Sequence, residues 1–442
     1  MVLLRNFLNM FNIPELRKKI IFTLGILVIY RLGNHIPVIG VDIDKLLQVM
    51  NQSTGLLGGV LSYLDLFSGG NLRQCTLFAL GISPYITASI MMQFLSLSIP
   101  TLEQLAKEGE YGRKIINQYT RYLAMLVAVI QSTGFVFVLE RMDLIIDPWF
   151  GSRVLFVISL SVGTMFVMWL GEQISLFGIG NGTSMIIFAG IIARFPDDII
   201  KTIVAIQEGY LDPVVGTFLF VIALAIAGAI VFLEKGERKI PVQYSRRVVG
   251  NKMYGGQSTY IPFKINPAGV MPVILSNAML NIPVFALTLL SARFVIFKSI
   301  AESLTIGGLV HGIVDFVLII CFSFFYTALV FNPEELADNI KKGGGFIPGI
   351  RPGKQTAQFF NYILTRIGLV GALYLATLAL LPGVIHSVLH MPFYLTGILS
   401  GTALLIVVGV ANETAAQIES YLIEHRYEGF LASGRLKGRG GR

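Results

Sequence analysis

The chain has 442 residues, of which 54% are hydrophobic and 14% charged, with a mean hydropathy of +0.72 and a formal charge of +8. A soluble domain carries roughly 25% charged residues, so this chain has too few polar side chains to cover its outside in water, and lipid is the solvent that suits it. Its two cysteines, Cys75 and Cys321, both lie in apolar stretches, which excludes a disulfide framework and fits small packed hydrophobes.

Arg5, Arg17, Lys18 and Lys19 precede the first apolar run. No small-residue cleavage site follows it, so it reads as a retained span. About 20 apolar residues cross the hydrocarbon as a helix, because every backbone group must be satisfied internally. Ten stretches meet that test: 18–36, 74–98, 117–139, 153–171, 183–205, 213–233, 269–291, 309–331, 362–382 and 393–411. Pro196-Asp197-Asp198 interrupts the fifth, which is expected to stop near Phe195. Leu56 to Phe67 is too short to span, contains glycine and runs into Ser68-Gly69-Gly70. It suits either a plain external loop or a re-entrant, plug-like element sheltered by protein or water.

Placing the N-terminus inside puts about 25 of the 34 basic residues in alternate, inward segments, which satisfies the positive-inside rule with both termini cytoplasmic. This accounts for the positive charge without nucleic acid. The expected organisation is an N-terminal arm (1–17), then an N-terminal half (18–233) with five spans and, at 56–71, the loop or plug-like segment. The sixth span follows a half boundary near 206–212. A basic loop (234–268) leads to the rest of the C-terminal half (269–411), which includes a second long loop (332–361), and then to a tail (412–442). Lys235, Arg238, Lys239, Arg246, Arg247, Lys252 and Lys264 in the first loop, with Lys341, Lys342, Arg351 and Lys354 in the second, exceed what orientation requires. They suit docking of an acidic partner or a merely solvated loop. Five spans per half would invert the second half relative to the first, about an axis in the membrane plane.

No catalytic or metal-binding constellation is present: the sequence has no H-E-x-x-H, no Cys/His metal spacing and no Gly-x-Ser-x-Gly. Gly343 to Gln355 departs from a phosphate loop, with Pro348 where the first glycine belongs and Gln355 after Lys354. It reads as a rigid tip. The chain is therefore expected to be a conducting path that needs no cofactor, not an enzyme. Asp315 is the clearest charge within a span, and such sparse midplane charge argues against an ion-coupled transporter.

Ile82, Ile86 and Ile90 recur at steps of four in span two, and Ile187 and Ile191 do so in span five. Ile274 and Ile406 lie in spans seven and ten. Stiff β-branched side chains meeting at a bundle axis would make a narrow apolar constriction, although ordinary helix packing explains the same residues. Thr87, Gln93, Gln131, Ser132, Thr133, Ser276, Asn277 and Asn281 are uncharged polar groups within spans, suited to weak interhelical hydrogen bonds.

Five long motifs, in order, carry a family resemblance: LFALGISPYITASI (from Leu77), KEGEYGRKIINQYTRY (107–122), WLGEQISLFGIGNGTSMIIFAGI (169–191), QSTYIPFKINPAGVMP (257–272) and ALVFNPEELADNIKKGGGFIPGIRPGKQT (328–356). The chain resembles the SecY family of protein-translocation channel subunits. The resemblance implies an all-α polytopic membrane protein of ten transmembrane helices in two inverted five-helix halves, with a short plug helix. It implies passage of unfolded secretory polypeptides across the bacterial plasma membrane, and release of membrane segments sideways into it. The pore ring would be Ile82, Ile86, Ile187, Ile191, Ile274 and Ile406. The plug would include Leu66, Phe67, Ser68, Gly69 and Gly70. Lateral-gate contacts would come from Thr87, Gln93, Gln131, Asn277 and Asn281, and docking contacts from Arg246, Arg247 and Arg351. The implied partners are SecE-like and SecG-like small membrane subunits, the SecA motor ATPase, the ribosome, precursors with signal sequences, and membrane lipids; nucleotide hydrolysis would belong to partners.

Overall fold

The computed structural model of the protein describes residues 13–43, 45–46, 70–72, 74–146, 149–209, 212–244, 247–249, 252–254, 258–290, 309–389 and 401–433. Among the described residues, a helix overlaps each of the ten expected spans: α1 (Pro14–Gly33), α2 (Ser83–Ser98), α4 (Glu110–Arg141), α5 (Phe150–Phe177), α6 (Gly182–Gln207), α7 (Pro213–Glu234), α8 (Met271–Leu290), α9 (Leu309–Val330), α11 (Lys354–Leu389) and α12 (Gly401–Ser433). By length and apolarity alone, stretches of α4, α5, α7, α9 and α11 pass as bilayer-crossing, and α2 passes together with the short α3 (Pro100–Lys107), from which it is bent by 101°. Large apolar side chains stand outward on these helices. Val214 is 74% and Phe232 81% exposed at the two ends of α7, a surface that suits hydrocarbon rather than water.

The chain divides into two compact units, Met1–Pro196 with Val410–Arg442, and Asp197–Gly409. In the first, α4 packs on α2 and α5, and α5 also packs on α1. The α2, α4 and α5 contact is made by Ala88, Ala124 and Met168, where small side chains let helix backbones come close without any hydrophobic drive from lipid. In the second, α9 packs on α8 and α11.

Three sequence expectations change. Residues 74–82 of the expected second span form turns, and α2 begins only at Ser83. This irregular backbone satisfies itself on the strand-like segment after α1. Val38 N–H donates to the Cys75 carbonyl (2.9 Å), and Leu77 N–H donates to that of Ile36 (2.9 Å). At Gly163 of α5 a Cβ would stand 2.0 Å from the Leu77 carbonyl oxygen, so only glycine admits the turn so close to the helix. The expected stop near Phe195 does not occur, and α6 continues through Pro196 to Gln207. Proline forfeits one intrahelical bond, and helices of membrane proteins tolerate that loss.

The long basic loops are not loops. β1 (Glu237–Tyr244), β2 (Arg247–Val249), β3 (Lys252–Tyr254) and β4 (Ser258–Lys264) fill the first. The second holds α10 (Pro333–Lys342) and β5 (Gly345–Phe346). A three-stranded antiparallel sheet in the order β4-β1-β5 joins them. Asn332 caps α10, its side-chain oxygen accepting from the N–H groups of Glu334 (3.2 Å) and Glu335 (3.4 Å). Pro333 opens the helix, while Glu334 and Glu335 at its start and Lys341 and Lys342 at its end complement the dipole.

Replacing Gly163 with Val should overpack the Leu77 contact and cost about 1–3 kcal/mol. The check is thermal unfolding of the purified protein in detergent: a midpoint equal to the parent's would show that the approach is not tight.

Candidate functional site

Thr23, on α1, accepts through its hydroxyl from the Ile179 N–H (3.0 Å). The turn from α5 to α6 is thereby tied to the first helix. The Gly180 N–H donates to Gln417 Oε1 (2.8 Å), bringing α12 to the same turn. Lys19 Nζ donates to the Tyr421 hydroxyl (2.7 Å) and lies 4.2 Å from the ring centroid. Arg121 of α4 forms two bonds of 2.7 Å to the Glu172 carboxylate of α5, the fork geometry that fixes orientation as well as charge. These polar ties gather at the end of the first unit that carries α1's basic residues.

Further along α1, Tyr30 stacks on Phe78 (centroids 5.9 Å apart), Phe78 on Phe166 (5.9 Å), and Phe166 on Trp169 (5.8 Å), about one turn of α5 from Glu172. The ladder fixes the turns before α2. Asn71 is buried here, its carbonyl accepting from the Thr76 N–H (3.2 Å). Gly70 has φ +89°, and a Cβ there would stand 3.8 Å from Arg194 Cγ. Gly70 is thus held beside α6. Leu66, Phe67, Ser68 and Gly69 lie outside the described residues. An ion pair between Arg153 and Glu140 joins the facing ends of α4 and α5.

Of the expected ring, four isoleucines belong to the first unit. Ile82 ends the turn segment, and its Cδ1 lies 3.5 Å from where a Gly171 Cβ would be, next to Ile186 Cδ1 at 3.3 Å. Ile86 follows one turn on, half-buried, with its N–H on the Ile82 carbonyl (3.1 Å). Ile187 and Ile191 are buried one turn apart on α6. The other two isoleucines are in the second unit. A Cβ at Gly409 of α12 would meet Val270 Cγ2 at 3.0 Å. Ile406 lies three residues before Gly409, and Ile274 four residues after Val270. At 1.5 Å per residue, both stand about one turn from that contact.

The polar candidates divide similarly. Thr87 is buried on α2, while Gln93 of α2 and Gln131 of α4 are half-buried. Ser132, next to Gln131, is fully buried and donates to the Ala128 carbonyl (2.7 Å), with the Ser161 hydroxyl of α5 at 3.4 Å. On α8, Asn277 is 6% exposed and its Nδ2 has no hydrogen-bond partner among the described residues. Asn281 sits one turn further along α8. Sequence reading missed one pairing here: the Ser276 hydroxyl donates to Asp315 Oδ1 at 2.5 Å, across α8 and α9.

The basic segments of the second unit share a core of their own. Ile240 and Val242 of β1, Phe263 of β4, Ala337 and Ile340 of α10, Ile347, and Phe360 of α11 are buried together. The period-two alternation Ile240-x-Val242 was the available sequence signal. This core presents Arg351 outward, on a tip bounded by Gly349 (φ +82°) and Gly353 (φ +104°). The Arg351 carbonyl accepts from the buried Thr356 hydroxyl (3.0 Å), which fixes the tip. Arg247 opens β2, in register with Tyr254 of β3; Arg246 lies outside the described residues. Among the described residues, no cluster of His, Cys, Asp or Glu could hold a metal ion.

Replacing Phe360 with Ala should cost this core about 3–5 kcal/mol. Limited proteolysis should then cut within residues 234–268 and 332–361 well before the membrane helices; unchanged cleavage would mean that Phe360 does not hold the segment.

Comparison with known proteins gives one consistent outcome. The SecY family model matches residues 76–415. The protein translocase subunit SecY of Aquifex aeolicus is 43% identical over 431 residues, covering 96% of this chain and 98% of that protein. The Escherichia coli subunit is 41% identical over 435 residues, covering 97% of each. Among solved structures, a protein-conducting channel matches with a TM-score of 0.66 at 19% identity over 95% of both chains. Sec61 from a canine ribosome-channel complex of the endoplasmic reticulum matches at 0.62 and 18%, again over 95% of both; at these identities the likeness is one of fold. A family match over most of the chain, together with full-length relatives above 40% identity, places this multi-pass membrane protein in the SecY family.

Proposed function

We propose that this chain is the channel-forming subunit of a protein translocase, which passes unfolded polypeptides across a bacterial plasma membrane and lets apolar segments leave sideways into lipid. The observation that carries this reading is full-length membership of the SecY family, whose curated members are named translocase subunits. The termini are cytoplasmic, a placement that the distribution of basic residues supports. Ile82, Ile86, Ile187, Ile191, Ile274 and Ile406 form the constriction, a stiff apolar ring that blocks ions by dewetting and gives way to a passing chain. Residues 56–71, with Leu66 to Gly70, plug it at rest. Thr87, Gln93, Gln131, Asn277 and Asn281 supply the weak polar contacts of a lateral gate. Asn277 Nδ2, which has no hydrogen-bond partner among the described residues, supports that assignment, since a buried donor left unpaired is costly and gains from a partner supplied on gate closure.

Arg246, Arg247 and Arg351 dock the driving partner on the cytoplasmic domain. Solved relatives of the same fold are bound to ribosomes, which supports a ribosome here, and the family resemblance adds a SecA motor and SecE-like and SecG-like small subunits. The chain performs no covalent chemistry; its partners hydrolyse the nucleotide.

Conductance in a planar bilayer tests the channel directly. The intact complex should be tight, and a variant lacking residues 60–70 should leak ions; two tight membranes would remove the plug. Arg351→Glu should reduce translocation of a signal-bearing precursor by about tenfold or more, as reversal of one close charge contact at an interface does, without lowering the amount of assembled protein. Normal export by that variant would remove Arg351 from the docking surface.

A further inference from the structure

We propose that Ser276 and Asp315 form a latch that binds α8 to α9 and sets how strong a signal is needed to open the gate; this deepens the channel reading and rests on it. Asp315 is 6% exposed and Ser276 fully buried, in apolar helices. An ionisable group in such a place is costly and needs a specific partner. It has one: the Ser276 hydroxyl donates to Asp315 Oδ1 at 2.5 Å. A short hydrogen bond between two buried groups has no water competing for either partner.

The bond joins two helices with different freedom. α9 packs on α11 as well as on α8. At Gly312, one turn from Asp315, a Cβ would stand 2.9 Å from Leu380 Cδ2 of α11, so α9 is closely seated at this level. α8 is weaker in itself. Pro283, inside the helix and seven residues beyond Ser276, removes one intrahelical bond. α8 also carries Asn277 and Asn281, the proposed gate contacts, and Ile274, a proposed ring residue. Opening the gate moves α8. With the latch closed, α8 cannot move at Ser276 without dragging α9 away from α11 or breaking the hydrogen bond to Asp315. With the latch broken, the segment before Pro283 is held to α9 by packing alone, so it moves more readily and a weaker signal suffices. Asp315 is therefore a positioning residue that acts through α8.

Two measurements test the latch. The first does not depend on transport: hydrogen exchange of the α8 amides in the purified, lipid-embedded protein. Ser276→Ala should raise exchange about three- to tenfold, the range spanned by hydrogen bonds between membrane helices. Asp315→Asn, which keeps an acceptor without the charge, should lie between Ser276→Ala and the parent. Ser276→Thr, which keeps the hydroxyl, should match the parent. Exchange in Ser276→Ala equal to the parent's overturns the latch, whether or not the chain translocates anything. The second measurement is export of one reporter with an intact signal and with a signal weakened by a charge in its apolar core. Ser276→Ala should raise export of the weakened form about three- to tenfold and leave the intact form unchanged, with Ser276→Thr again like the parent. Equal loss of both forms would make Ser276 and Asp315 structural only and overturn the threshold role. A parent chain that exports neither form, beside a positive exchange result, would overturn the channel reading and with it the threshold, while leaving the bond between α8 and α9 in place.

Discussion

Everything in this fold answers to one constraint: a backbone N–H or C=O inside hydrocarbon must find its partner within the protein. Helices meet it alone, which is why they dominate the described residues. The turns at 70–82 cannot. They meet it by pairing with the segment after α1, at Pro37 with Thr76 and through the bonds of Val38 and Leu77. They also lie hard against α5 at Gly163 and beneath the Tyr30–Phe78–Phe166 stack. Such heavy support for a short irregular stretch is a large commitment of structure. Its consequence is that Ile82 and the start of α2 are set at a fixed place, joined directly to the segment proposed as the plug.

Outside the hydrocarbon the physics reverses. Apolar surface is again expelled by water, so the basic segments that flank α7 and α11 can build a core from Ile240, Val242, Phe263 and Phe360. That core explains how exposed cations are held in place. A solvated lysine on a free loop contributes steering but little specificity. Arg351, on a tip whose ends are fixed by glycines and whose carbonyl is tied to Thr356, is presented at one position.

The ten helices were legible in the sequence because hydropathy reports on lipid directly. Their ends were less so: α4 begins at Glu110 and α12 runs on to Ser433, well beyond the apolar windows, since a helix persists in water wherever its polar face is supported. The start of α2 was misread for the opposite reason. Residues 74–82 are apolar enough to span, yet their backbone pairs elsewhere, and composition does not distinguish the two. The third strand of the sheet β4-β1-β5 was hidden because β5 lies about a hundred residues from β1. The Ser276–Asp315 bond was hidden too: Asp315 stood out as a charge, but no local pattern names a partner on another helix. Leu66 to Gly69 and Arg246 rest on the family resemblance alone.

The placement of polar groups within the spans separates what must hold from what must yield. Between membrane helices apolar contact offers little net preference over lipid, so hydrogen bonds and close packing of small residues decide which pairs stay together. Within the first unit, Ser132 and Ser161 meet at a fully buried point of α4 and α5, and Arg121 and Glu172 clamp the same two helices at their basic end. Within the second, Ser276 and Asp315 join α8 to α9. These satisfied pairs make each unit cohere. The Asn277 amide, next to Ser276, has no partner for its Nδ2 among the described residues. Adjacent residues on a helix point about 100° apart, so α8 presents one satisfied polar face to α9 and a second, unsatisfied one in another direction. A helix of that design is tied on the side facing α9 and free to gain a partner on another, which is the division of labour that the proposed gating role asks of α8.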